Sequence, residues 1–263
     1  VREVQREAKT ADLRNLKSDD AKRRLSGPQV AKRCREIVLA VGAEHGVDLS
    51  RVEIDLDGDY VETARYVVPR DGDPRAGTIV VNPSFAEEMK DPEMGISAVR
   101  VVSHEALHAV SGCQHTYEGI SHDVEEGGAE VLSVWHWAAN AQPFGKPDAI
   151  REDGKWIDGA RALVGRSVYS DKVAQVLRRA ASLVGWNPTT MVALINHIYT
   201  RGDMNSRIDF KQQTDPDFRP PPGVAADGKA LLLWLITAGK RVHGTGAVPG
   251  GVPDPDLRHI PNV

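Results

Sequence analysis

Residues 104–108 read His-Glu-Ala-Leu-His, inside a segment between Asp91 and Gly112 whose apolar residues recur at helical spacing. Positions four apart share one face of a helix, so both imidazoles point to the same place. Two imidazoles on one turn can supply two of the ligands of a Zn2+ ion. The glutamate between them can then act as general base on a metal-activated water. A chain of this histidine content gives roughly 0.02 such pentads by accident, so the surroundings decide what the motif is worth.

Working outward, Asp91-Pro92 has the form of an N-cap followed by proline in the first turn, and Gly112 stands where a glycine ends a helix. Ile96, Val99, Ala106, Leu107 and Val110 form an apolar stripe, with Ser97, Val101, His104 and His108 on a neighbouring face. The plain alternative is an amphipathic helix with two surface histidines. A catalytic zinc takes three protein ligands and keeps one position open. The richest source of a third is the run from His122 to Glu130, which opens a segment that is apolar nearly all round, from Val131 to Ala139. Such a helix is buried, and carboxylates on it need a positive partner. Glu126 and Glu130 stand four apart on one face. Glu126 is the first candidate ligand and Glu125 the alternative. Asp123-x-x-Glu126 also fits a capping box, which would fold Glu126 back on the helix start. Gly127-Gly128 weakens a helix by about 1 kcal/mol per residue against alanine; close approach to the helix of residues 104–108 would explain the pair.

The pentad followed by a helix carrying Glu126-Gly127-x-Ala129-Glu130 resembles the gluzincin group of zinc metallopeptidases. The resemblance spans roughly residues 30 to 200, although the specific motifs occupy about two dozen positions. It implies His104, His108 and Glu126 as ligands of Zn2+, with Glu126 lying 18 positions after His108. It implies that Glu105 is the base and that Glu130 orients a ligand histidine. It further implies hydrolysis of peptide bonds in a peptide or protein substrate. The corresponding fold is α+β and zincin-like: a small mixed sheet, an active-site helix and a mainly helical C-terminal half. In such enzymes the strand before the active-site helix borders the cleft, which maps onto Thr78, Ile79, Val80 and Val81. An oxyanion donor is also needed. Tyr117, between the second and third ligands, comes first, then His197 and Tyr199, with His122 also open. A second zincin group reads H-E-x-x-H-x-x-G-x-x-H; here Gly112 and His115 each fall one position late, although Met204 could serve as its methionine turn.

The chain has 263 residues, a net charge of -4 and 41% hydrophobic residues, enough for a sizeable core. Mild acidity argues against nucleic acid as a partner. The basic runs Lys22-Arg23-Arg24 and Lys32-Arg33 are interleaved with acidic residues and read as solvated helix faces. Two cysteines, Cys34 and Cys113, exclude a disulfide framework and form no metal-type pair. Neither a signal peptide nor an apolar run of membrane-spanning length is present, so no membrane partner is expected and a cytoplasmic or particle-associated location is favoured. The start at Val1 suggests a processed product or part of a larger polypeptide.

Residues 1–27 read as a charged helical arm, 28–214 as the peptidase-like domain (a mixed half over 28–112 and a helical half over 113–214), and 215–263 as a Pro-rich tail with one apolar helix. A helix is expected from Pro28 to about Gly46, and strands over 51–56, 64–68 and 78–81. Helices are expected near 123–140, 156–164, 172–184, 188–200 and 229–242. His45, His136, His243 and His259 carry no functional expectation. Two other readings remain: a structural or vestigial metal-binding domain of a larger, phage-type assembly, and a helical interaction protein with a chance pentad.

Overall fold

The computed structural model describes residues 27–57, 63–68, 74–83, 95–112, 120–140, 164, 169–201, 210 and 219–243. Helix α1 spans Gly27–His45 and buries Val30, Cys34, Ile37, Val38 and Val41 along one stripe. It ends at Gly46, whose φ of 66° is the left-handed conformation that glycine adopts without a Cβ clash. The Val47 N–H then returns to the Gly42 carbonyl at 2.8 Å, satisfying one of the last orphan carbonyls.

Three short strands follow: β1 (Glu53–Leu56), β2 (Ala64–Val67) and β3 (Thr78–Val81). β3 lies between the others, parallel to β1 and antiparallel to β2. Register puts Ile54 and Leu56 beside Ile79 and Val81, and Tyr66 and Ala64 beside the same pair. This shared face carries the apolar side chains; the alternate face carries Glu53, Asp55 and Arg65. Helix α2 (Gly95–Ser111) packs against α1 and across β2. The remainder is helical: α3 (Ile120–Asn140), α4 (Ser170–Val184), α5 (Pro188–Arg201) and α6 (Gly228–His243). The architecture is therefore α+β, mostly helical, with a small mixed sheet. Leu231, Leu232, Leu235 and Ile236 of α6 join the same buried cluster as α2 and α3. No helix among the described residues is long and apolar enough to cross a membrane.

The strand order corrects one expectation. Thr78, Ile79, Val80 and Val81, expected as an edge strand, form the middle strand of the described sheet, with both flanks bonded to neighbours. β2 is an edge of the described sheet. The Asn82 N–H bonds the Thr63 carbonyl, so in the alternating antiparallel ladder the Tyr66 N–H points away from β3. A second correction concerns α3, which already runs through Asp123. The capping-box reading of Asp123 and Glu126 therefore falls, because neither residue sits at the helix start. The proposed N-cap at Asp91-Pro92, the arm over 1–26 and most of the 156–164 helix lie outside the described residues; Val164 is helical and buried.

Burial dominates the titration of two groups. Burial pushes the Cys34 thiol up to about 12, so it behaves as a small apolar residue. His45 joins the end of α1 to α5 through a 2.7 Å bond between its Nδ1 and Asn196 Oδ1. Its Nε2 is buried with no hydrogen-bond partner among the described residues. Burial depresses its pKa below the ordinary imidazole value of 6.5, with the Asn196 bond opposing. Below that ordinary value the unfolded chain takes up a proton that the folded one resists, so this contribution to stability is present at neutral pH and lost as pH falls. Urea unfolding from pH 7 to pH 5 should show wild type losing more stability than His45→Gln. The difference can reach at most about 1.4 kcal/mol per pH unit for one proton. Parallel curves would show that His45 protonates freely in the fold.

Candidate metal centre

Arg100, His104 and His108 occupy positions four apart along α2 and so share one face. That face meets the first turns of α3, where Glu125, Glu126 and Glu130 are clustered. His104 Nε2 lies 3.2 Å and His108 Nε2 3.8 Å from the same Glu126 oxygen, Oε2. One donor atom from each of the three residues falls within 4.8 Å of the others.

The far nitrogen of each ring is engaged separately. His104 Nδ1 stands 3.2 Å from Glu130 Oε2. Glu130 is fully buried and receives Arg100 Nη1 at 2.6 and 2.7 Å through its two oxygens. His108 Nδ1 lies 3.0 Å from Glu125 Oε1, which also accepts from the hydroxyls of Ser111 at 2.8 Å and Tyr199 at 2.9 Å. A carboxylate behind each ring fixes its tautomer and leaves the Nε2 lone pair free to bind a metal.

The donor set fits a divalent cation. Ligands held about 2.1 Å from a tetrahedral zinc stand about 3.4 Å apart, and the two His–Glu126 separations bracket that spacing. Charge points the same way. Glu125, Glu126 and Glu130 all stand against the two imidazoles, Arg100 is paired with Glu130, and such a concentration of carboxylates calls for a positive partner. Burial opposes a charge on His104, yet Glu126, Glu130 and Glu105 together push its pKa up to about 10. A proton on that ring supplies part of the missing charge, and metal binding would displace it.

Glu105 reaches from α2 toward β2 of the sheet. Its Oε2 accepts the outward-facing Tyr66 N–H of β2 at 2.7 Å. Burial raises its pKa above the ordinary carboxylate value and the Glu126 charge adds to this, against the two histidines and the Tyr66 bond. A raised carboxylate is suited to accept a proton near neutrality.

Of the residues named from the sequence, His104, His108 and Glu126 come together, Glu130 stands behind His104, and Glu125 proves to be the orienting partner of His108. Tyr117, His115, Cys113 and Met204 lie outside the described residues, as does the side chain of His122. Tyr199 lies behind His108, on its Nδ1 side, so it is not placed as an oxyanion donor. Residues two apart on a helix point to different sides, so the turn that brings Tyr199 to Glu125 directs His197 elsewhere. The glycine pair also has another cause than the one expected. A Cβ on Gly127 would lie 2.7 Å from the Lys172 carbonyl of α4, and one on Gly128 would lie 2.8 Å from the Tyr199 ring of α5. The close approach is to α4 and α5, not to α2.

Sequence reading missed Arg100, Ser111 and Tyr169. Arg100 had a signal: it is the one Lys or Arg in α2, four residues before His104. Tyr169, just ahead of α4, had none. Its ring stacks on His104 with centroids 5.2 Å apart and planes 12° from parallel. Burial, aided by the charges of Glu126 and Glu105 and a hydrogen bond to Glu126, raises its pKa, so the phenol stays protonated.

Compared with family models, curated proteins and solved structures, the chain matches none.

Proposed function

We propose that this chain is a zinc-dependent peptidase of the gluzincin type, in which His104, His108 and Glu126 hold the ion. One observation carries the reading: both Nε2 atoms converge on one Glu126 oxygen while each Nδ1 is engaged by another carboxylate. A bound zinc supplies Lewis acidity toward a scissile carbonyl and acidifies water. Glu105 is the proton carrier, taking a proton from water and returning it to the leaving amine. The outer edge of β2 is the natural track for an extended substrate, because strand addition uses outward-pointing backbone groups such as the Tyr66 N–H. A peptide seated there competes with Glu105 for that N–H and releases the carboxylate for its work. Tyr169 is the oxyanion donor that this reading favours among the described residues. Its protonated hydroxyl sits beside Glu126 and can donate to an oxyanion.

Two measurements test the reading. Purified protein should carry about one zinc per chain and should cleave casein or a peptide library, with loss of both after chelation. A protein that holds no zinc sinks every metal reading. Zinc without turnover favours the structural or vestigial domain instead.

A further inference from the structure

Tyr199 joins the metal centre from a helix that contributes no ligand to it. We infer that Tyr199 is a positioning residue for His108, acting through Glu125, and that Gly128 is the opening that admits it; the inference rests on the metal-site reading above. The hydroxyl donates to Glu125 Oε1 at 2.9 Å and stands 3.3 Å from His108 Nδ1. The side chain is almost wholly buried, at 2% exposure. Buried phenols need a partner, but this one has chosen the oxygen that also receives His108 Nδ1 and the Ser111 hydroxyl.

Three donors on one carboxylate oxygen leave Glu125 no freedom to swing. His108 is thereby held with its Nδ1 toward Glu125 and its Nε2 toward Glu126. Glu125 is also the neighbour of Glu126 in sequence, and a carboxylate free to turn could compete for the cation. Anchoring by Tyr199 and Ser111 keeps it behind the ring. The local sequence is fitted to this contact. A Cβ at position 128 would sit 2.8 Å from Tyr199 Cδ2 and 3.3 Å from Cε2, inside the limit at which one group must move. Gly128 thus lets the α5 aromatic ring come close against α3, two residues after the ligand Glu126.

Orienting partners of metal-bound histidines contribute about 10- to 100-fold to metal affinity. Tyr199 acts one bond further out, so Tyr199→Phe in the full chain should raise the zinc dissociation constant about tenfold, read by competition with a chromogenic chelator. Cobalt substituted for zinc should show shifted visible bands in this variant, reporting a changed ligand field. Gly128→Ala should reproduce both changes by displacing the ring with its hydroxyl retained. Ser111→Ala combined with Tyr199→Phe should weaken zinc by a factor other than the product of the single effects, because both act on one oxygen. A merely structural role for Tyr199 would lower the melting temperature of the metal-free protein with zinc affinity and cobalt spectrum unchanged; that result overturns the inference and leaves the metal site standing. Failure of the wild-type chain to bind zinc or cobalt overturns both.

Discussion

Glu105→Gln should lower peptide turnover by about 10²- to 10⁴-fold, the usual contribution of a positioned general base, with about one zinc per chain retained. The substitution keeps the shape of the side chain. Its amide oxygen can still accept the Tyr66 N–H, so the α2–β2 contact survives. What it removes is the ability to take up and return a proton. The loss should fall mainly on kcat, since the ligands and the β2 edge are untouched. The measurement is steady-state cleavage of a fluorogenic peptide beside metal analysis of the same samples. Equal turnover in the two proteins, both zinc-loaded, would end the peptidase reading. Loss of zinc in the variant would make Glu105 a ligand instead of a base.

Arg100→Met should destabilise the metal-free protein by about 3–5 kcal/mol, the range for a buried ion pair that loses one partner. In a chain of this size that corresponds to a fall in melting temperature of about 6–20 °C. The reason is Glu130, which is wholly buried and whose two oxygens receive the Arg100 guanidinium at 2.6 and 2.7 Å. Without Arg100 its charge is left against His104 Nδ1 in a buried site. Chelator must be present in every melt, because a bound ion would mask the change by mass action. Adding Glu130→Gln should recover part of the loss, since a neutral amide is less costly to bury than a lone carboxylate. A shift smaller than about 1 kcal/mol, the ordinary worth of an exposed pair, would mean that water reaches this cluster. Zinc affinity should fall in the double variant, because a neutral amide backs His104 less strongly than a carboxylate.

Much of the layout follows from local pattern. The apolar stripe of α1, the period-two alternation of β1 and the punctuation at Gly46 and Gly112 are properties of adjacent residues, and the elements form where these signals stand. Spacing along one helix was equally readable: His104 and His108 had to share a face. So did Glu126 and Glu130.

The chain of amino acids alone thus determined which residues could act together within one element, because the helical and strand periods are fixed by backbone geometry. Only the tertiary structure decided what meets across elements. It made β3 the middle strand and left β2 at an edge of the described sheet, since strand order depends on how the sheet assembles and not on order in the chain. It put Glu125 on the Nδ1 side of His108, set Arg100 against Glu130, and brought Tyr169 onto His104 and Tyr199 onto Glu125 from distant segments. Those partnerships arise from buried charges and rings seeking partners in a packed interior, and packing has no signature in the spacing of a single segment.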